Sequence, residues 1–365
     1  MLKRTIILAA GGTGGHVFPA QALAESLIFR GWKVFLVTDN RGEIFANAFP
    51  EQVQKLILNI NNPWGEGTLK FVLSMWLLMK SFFTVARFVM KKNPSVIVGF
   101  GGYPSATSLV VAKIFGIPSA IHEQNTVLGT VNRIFQNRVN LLVFGTTPSK
   151  IVKRKSRTIV LGNPIRQSVF NRKNHDYSML PSSSFCIFVV GGSQGAYFVS
   201  AKACQAISLL PEELRRKITV LHQCRQENIS EIKKKYESFN IKSETKSFFS
   251  DVSLCLNQSN LIISRSGASS LAEFCIFGRP SILIPLPDAI GNHQALNAKV
   301  MEEFGASVVL NQKSLTSTIL SEHITKILEN FELANGMATA AKKLARPNAA
   351  INFAKELDKL IQRDV

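Results

Sequence analysis

The 365-residue chain is short of acid, of cysteine and of long apolar runs, and each shortage removes a class of protein. Its 24 Asp and Glu stand against 43 Lys and Arg, a formal net charge of +19, and this calls for an anionic partner: nucleic acid, phospholipid or a phosphorylated substrate. Nucleic acid is disfavoured. There is no zinc-finger spacing and no aromatic ribonucleoprotein motif, and the basic runs Lys153 to Lys155 and Lys233 to Lys235 carry no interleaved aromatics. The five cysteines, Cys186, Cys204, Cys224, Cys255 and Cys275, are odd in number and form no C-x-x-C pair. That excludes a zinc ribbon or a disulfide framework and fits a reducing cytosol.

The most apolar stretch, Leu69 to Met90, is broken by Lys70, Lys80 and Arg87, so its longest uncharged run falls far short of the roughly 20 residues that a bilayer-crossing helix needs. At helical spacing Val72, Trp76, Met79, Phe83 and Ala86 form one apolar stripe with lysines and an arginine beside it. Such a basic amphipathic helix suits the surface of an anionic membrane. The start, Met1 to Ala10, imitates a signal peptide, but its apolar part is too short and runs straight into a glycine turn. It reads as a first strand.

Two glycine-rich turns are present, Gly11-Gly12-Thr13-Gly14-Gly15-His16 and Gly191-Gly192-Ser193-Gln194-Gly195-Ala196, each directly after a short apolar run. A strand that ends in glycines and opens a helix aims several N–H groups, and the positive end of a helix dipole, at one spot that suits a phosphate. Strands are expected near Thr5 to Ala9, Lys33 to Val37, Val96 to Gly99, Ser119 to Ile121 and Leu141 to Val143. A second series is expected near Cys186 to Val190, Ile218 to Leu221, Leu261 to Ser264, Ser281 to Ile284 and Val308 to Leu310. Helices between them, the first opened by Pro19 and closed by Gly31, imply parallel sheets with crossovers, built twice. The domain division is 1–162, 163–345 and a C-terminal helix in 346–365, with the junction between Leu161 and Pro181.

A dinucleotide-binding fingerprint fails, because Val17 stands where G-x-G-x-x-G needs its third glycine. Asp39, roughly where a ribose-binding acid would sit, is then an ordinary turn acid. A P-loop is absent too. The α/β pattern fits a glycosyltransferase B-type fold, two Rossmann-like doubly wound domains facing a cleft.

Seven motifs narrow this further. They are Gly11 to Ala20, Gly99 to Pro104, His122 to Asn125 with Gly129 and Asn132-Arg133, Gly162 to Arg166, Gly191 to Ala196, Ser264 to Ala268 with Glu273, and His293-Gln294 with Asn297-Ala298. In order and spacing, over nearly 300 residues, the chain resembles the MurG family of peptidoglycan N-acetylglucosaminyltransferases. The resemblance implies inverting transfer of N-acetylglucosamine from UDP-N-acetylglucosamine to the muramoyl 4-hydroxyl of undecaprenyl-diphosphoryl-muramoyl-pentapeptide. It implies no cofactor and no metal, and the chain has no D-x-D triplet to hold one.

By the same resemblance the donor is bound through Thr13, Gly14, Gly15, Asn125, Arg166, Ser193, Gln194, Gly195, the backbone near Phe249, Ala268, Glu273 on the ribose, Gln294 and Asn297. The acceptor is bound through Gly14, Gly15, His16, Gly102, Tyr103 and Asn125. His16 is the candidate base, Asn125 positions, and Glu123 orients or serves as an alternative base, while His122 is structural. Val72, Trp76, Met79 and Phe83 meet the membrane, which puts the protein peripherally on the cytoplasmic face of the inner membrane, among cell-wall synthesis and division proteins. Tyr197 and Ser200 depart from the arginine and asparagine usual in the family. A UDP-sugar epimerase, or a non-catalytic nucleotide-sugar-binding protein of the same fold, is the alternative.

Overall fold

The computed structural model describes residues 4–59, 68–149, 156–170, 177, 184–191 and 197–363, and of 68–75, 78 and 290 only the backbone. The chain divides into two compact units, Met1–Gln167 with Arg346–Val365, and Ser168–Ala345.

In unit 1 the strands are β1 (Thr5–Ala9), β2 (Lys33–Asp39), β3 (Gln54–Leu58), β4 (Val96–Gly99), β5 (Ser119–Glu123), β6 (Leu141–Phe144) and β7 (Arg157–Val160), in the spatial order β3-β2-β1-β4-β5-β6-β7. Every pair is parallel. Helices α1 (Gly14–Phe29), α2 (Asn40–Ala46), α3 (Thr68–Lys92), α4 (Gly102–Ile114) and α5 (Thr130–Phe135) cross between the strands, and a short α6 (Gln167–Phe170) stands at the unit boundary.

Unit 2 repeats the plan with β8 (Phe185–Val190), β9 (Ile218–Gln223), β10 (Lys242–Lys246), β11 (Leu261–Ser264), β12 (Ser281–Leu283) and β13 (Ser307–Val309), ordered β10-β9-β8-β11-β12-β13. Its helices are α7 (Tyr197–Ser208), α8 (Glu212–Lys217), α9 (Ile229–Ser238), α10 (Val252–Gln258), α11 (Ala268–Phe277), α12 (His293–Glu303), α13 (Ser317–Glu329) and α14 (Phe331–Leu344). The next helix, α15 (Ala349–Arg363), returns to unit 1 and packs along α1.

The central strands are apolar on both faces, as a parallel sheet covered by helices on both sides requires. Thr5–Ala9 and Val96–Gly99 are wholly buried. In unit 1 one face of the sheet packs against α1 and α15, the other against α3 and α4. From α15 come Phe353, Ala354, Leu357 and Ile361, each large side chain worth roughly 1.5 to 3 kcal/mol of burial. Asp358 of the same helix accepts from Trp32 Nε1 at 3.1 Å and from the guanidinium of Arg30.

Three strands escape the sequence pattern, β3, β7 and β10. All are sheet edges, mostly exposed, with Lys or Arg where a central strand has Val or Ile, so the apolar run that signals a strand is missing. Pro19 does not open α1. The helix begins at Gly14, and the proline sits inside it, where it removes only the bond to the Gly15 carbonyl. Gly31 does end it, with φ of 78°.

Both sheets reverse strand order at one place, between β1 and β4 and between β8 and β11. In open parallel sheets ligands sit beyond the carboxyl ends of the strands at such a switch point. The two glycine turns begin there.

Charge is divided unevenly. Unit 1 carries 24 Lys and Arg against 9 Asp and Glu, a net of +15, and unit 2 carries 19 against 15, a net of +4. On α3, Trp76, Met79 and Phe83 are 51%, 55% and 64% exposed, with Met90 beyond them. Lys80 Nζ stands 5.3 Å from the centre of the Trp76 ring, and Arg87 and Lys91 are exposed further along the helix. Ala86, expected on this stripe, is instead buried with Val85 and Val89 against the sheet, because the helix turns a separate apolar stripe inward. The side chain of Val72 lies outside the described residues.

Candidate active site

In unit 1 the loops after β1, β4 and β5 interlock. Ser105 Oγ, fully buried, donates to the Ala9 carbonyl at 2.6 Å and accepts from the N–H groups of Phe100 (3.1 Å) and Gly101 (2.9 Å). Gly11 N–H reaches the Gly101 carbonyl at 3.3 Å. The fit leaves no space for side chains. A β-carbon on Gly102, whose φ is 78°, would stand 3.0 Å from the Gly11 carbonyl oxygen, and one on Gly11 would stand 2.5 Å from the Pro104 ring.

His16 lies on the first turn of α1, with Thr13 as N-cap. Its Nδ1–H donates to the Gly11 carbonyl at 2.7 Å. A carbonyl can only accept, so Nδ1 carries the proton and the neutral ring keeps its lone pair on Nε2. Nε2 faces Gly101, where a β-carbon would stand only 2.8 Å away. Gly12, Thr13, Gly14, Gly15, Gly102 and Tyr103 all lie within this same pair of turns.

The third loop is ordered by Glu123. Its buried carboxylate accepts four hydrogen bonds: from Asn125 N (3.1 Å) and Nδ2 (3.0 Å), Gly129 N (2.8 Å) and Asn132 Nδ2 (2.8 Å). A carboxylate so enclosed holds the Asn125 amide in place, and this geometry suits orientation better than proton removal. Behind it His122 is fully buried and stacked on Phe353 of α15, ring centres 5.7 Å apart. Its Nε2–H donates to the Gly162 carbonyl at 3.2 Å, and Nδ1 accepts from Gln124 at 3.2 Å. Burial pushes its pKa down to about 4, so the ring is neutral. Arg166 rests over the Phe18 ring at 4.3 Å, one helical turn from the glycine turn.

Asp39 is no ordinary turn acid. It is wholly buried, caps α2 through Gly42 N–H at 2.8 Å and takes the Gly12 N–H at 2.9 Å. Its second oxygen pairs with Arg41 at 3.1 Å. Sequence reasoning missed Arg41 and Ser105, which belong to no phosphate fingerprint. The available signal was an acid at the end of β2, which in this topology lies next to β1.

In unit 2 the register places Val190, last of β8, against Ser264, last of β11. The following turn with Ser193, Gln194 and Gly195 lies outside the described residues. Beyond it Tyr197 is exposed at the start of α7. Ser200 Oγ meets His222 Nε2 at 2.7 Å, and His222 Nδ1 meets the Tyr236 hydroxyl at 2.8 Å. Burial lowers the His222 pKa to about 3.

Ser266, Gly267 and Ala268 lead into α11, which also carries the half-buried Glu273. Ser266 Oγ donates to the Gln294 carbonyl at 2.7 Å, Asn297 Nδ2 to the Ser266 carbonyl at 3.2 Å, and Leu286 N–H to Gln294 Oε1 at 3.0 Å. Gln294 and Asn297 of α12 are thus fastened to the start of α11. Phe249 is not part of this group. Its ring packs edge-on against Phe188 at 5.9 Å, which leaves only its backbone for a ligand. Arg265, inside the Ser264 to Ala268 motif but given no role there, is buried and donates to carbonyl oxygens, those of Ile284 (2.8 Å), Pro285 (3.1 Å) and the side chain of Gln312 (2.6 Å), and burial lowers its pKa. Among the described residues no three His, Cys, Asp or Glu side chains group as metal ligands.

These two sites, each at the switch point of its own sheet, match known domains. Residues 6–142 match the glycosyltransferase family 28 N-terminal domain and residues 186–358 its C-terminal domain. The UDP-N-acetylglucosamine--N-acetylmuramyl-(pentapeptide) pyrophosphoryl-undecaprenol N-acetylglucosamine transferase of Caulobacter vibrioides is 38% identical, over 98% of this chain and 99% of its own. The chain belongs to the MurG family. The transferase of the same name from Agrobacterium fabrum is also 38% identical, over 96% of this chain and 93% of its own. A crystal structure of Acinetobacter baumannii MurG superposes with a TM-score of 0.77 at 25% identity, covering 97% and 99% of the two chains. The B-type glycosyltransferase fold and the duplicated α/β units are therefore those of MurG.

Proposed function

We propose that this protein transfers N-acetylglucosamine from UDP-N-acetylglucosamine to the 4-hydroxyl of undecaprenyl-diphosphoryl-N-acetylmuramoyl-pentapeptide. The observation that carries this reading is the 38% identity to a transferase of that name along almost the whole of both chains. In our reading unit 1 binds the acceptor and unit 2 the donor. His16 Nε2 takes the proton of the attacking hydroxyl as that oxygen bonds to the anomeric carbon from the face opposite UDP. UDP leaves with the bonding pair, and the N–H groups at the starts of α7 and α11 stabilise its diphosphate without a metal. Glu273 holds the ribose hydroxyls, and Gln294 and Asn297 hold the sugar.

We further place the protein peripherally on the cytoplasmic face of the inner membrane, where the polyprenyl tail anchors its acceptor. Support comes from the exposed Trp76, Met79 and Phe83 beside lysines, on the unit that carries +15 of the net charge. Among the described residues no helix is long and apolar enough to cross a membrane.

The test is transfer of labelled N-acetylglucosamine to a short-chain analogue of the acceptor, with EDTA present, in wild type, Glu273→Ala and His16→Ala. Turnover in the wild type that collapses in both variants supports the assignment. Donor binding without transfer would favour the binding-protein alternative, and activity abolished by EDTA would overturn the metal-free step.

A further inference from the structure

The first glycine turn has a negative charge behind it and a positive charge at its mouth. Behind stands Asp39, fully buried, whose Oδ1 takes the Gly12 N–H. One donor that the turn would offer an incoming phosphate is thus already engaged, by a group of the sign that repels phosphate. An anion site of this kind needs a compensating cation.

Arg41 is that cation, and its position goes beyond compensation. Among the described residues it pairs with Asp39 Oδ2, at 3.1 Å from Nη2. One pairing engages one edge of a guanidinium that has five N–H donors. The side chain is 57% exposed, unlike the buried acid it meets. It also lies against the turn itself, Nη2 3.5 Å and Cζ 3.8 Å from where a β-carbon on Gly12 would stand. Gly12 itself is half-buried, with a φ of 86°. Asp39 therefore does for Arg41 what a fixed carboxylate does for any arginine that must present its fork: it removes the freedom that binding would otherwise have to remove.

We propose that Arg41 is a direct ligand of a diphosphate at the first glycine turn, that of the lipid-linked acceptor, and supplies the donors that the occupied Gly12 N–H cannot. The assignment rests on the reading above, in which unit 1 binds the acceptor. The same chemistry would serve the diphosphate of the donor, so the experiment separates the two.

Kinetics with the short-chain acceptor analogue and UDP-N-acetylglucosamine are measured for wild type, Arg41→Lys, Arg41→Gln and the double variant Asp39→Asn/Arg41→Gln, with inorganic pyrophosphate as a competing probe. Loss of one charge-assisted contact corresponds to about tenfold or more in affinity. Arg41→Gln should raise the acceptor KM by about that factor and weaken competition by pyrophosphate against the acceptor, while the donor KM and UDP inhibition stay put. Arg41→Lys should recover part of the loss. The double variant should remain impaired, because cancelling Asp39 does not restore a ligand.

An acceptor KM that returns to wild type in the double variant would overturn the proposal, since Arg41 would then act only by neutralising Asp39. An acceptor KM unmoved in Arg41→Gln, or a rise confined to the donor KM, would overturn it equally. Should the double variant fail to fold, Arg41→Lys decides, because it keeps the charge that neutralises Asp39 but loses the fork: an acceptor KM equal to wild type there would overturn the proposal. A wild type that transfers nothing to the analogue would overturn the underlying reading of unit 1, and is told apart by needing no variant at all.

Discussion

His16 and Gly101 meet edge to backbone: the imidazole donates through Nδ1 to Gly11 at 2.7 Å and turns Nε2 toward Gly101, where even a methyl group would stand 2.8 Å away. The absence of a side chain at 101 is thus part of how the ring is held.

Gly101→Ala should therefore damage turnover without touching any reacting group. The φ of 112° is strained for alanine, and the methyl would push the imidazole off its bond to Gly11. We expect a fall in kcat of about 100-fold, like that of losing a general base, with the donor KM preserved. Steady-state kinetics check this, and wild-type kcat in Gly101→Ala would refute it.

Glu123→Gln distinguishes a holding carboxylate from a base. The amide would turn an NH2 toward at least one of the four donors that Glu123 now accepts. Stability should drop by about 2 kcal/mol, and kcat should fall as Asn125 loosens. The shape of the pH–rate profile should not change. Loss of its acidic limb in Glu123→Gln would instead make Glu123 the base.

Acid should destabilise both units. His122 in unit 1 and His222 in unit 2 stay neutral when folded, down to about pH 4 and pH 3, but take a proton near 6.5 once unfolded. Between those values the unfolded chain binds more protons. Stability is thus complete above pH 6.5 and falls as the pH drops toward 4, by about 1.4 kcal/mol per pH unit for each ring. Urea midpoints at about pH 7.5, 6 and 5 should decline in that order, and a flat series would contradict the burial of neutral imidazoles.

Charging the exposed face of α3 should separate membrane contact from chemistry. Met79→Glu with Phe83→Glu replaces two exposed side chains, so the fold should hold. Co-sedimentation with anionic vesicles should weaken by about tenfold or more, since both apolar area and charge balance change. Turnover of the short-chain acceptor should be unaffected. Equal binding by the variant would remove α3 from the membrane reading.

The sequence disclosed what depends on local periodicity and on glycine. Ten strands were legible, nine of them central and apolar on both faces and the tenth, the edge strand β13, still carrying Val308 and Val309, whereas the edge strands β3, β7 and β10 carry polar and charged residues that break the apolar run. Glu123, His16 and Asn125 were legible as motif members, but not that Glu123 is saturated with donors. Asp39 and Arg41 were misjudged or passed over because their meaning comes from strand order. Asp39, last of β2, and Arg41, in the first turn of α2, acquire a role only when β2 lies beside β1, and no spacing along the chain says so. Ala86 was assigned to the wrong stripe of α3 because that helix has two apolar stripes, and sequence cannot say which one faces the sheet.

The path of α15 bears on how the protein is made. Phe353, Ala354, Leu357 and Ile361 complete the core of unit 1, and Phe353 backs the ring of His122, yet they are translated only after all of unit 2. On the ribosome, the domain begun first therefore cannot close first. The earlier half of the chain must wait, with one face of its sheet only partly covered, by α1, until the later half has emerged and its trailing helix has come home.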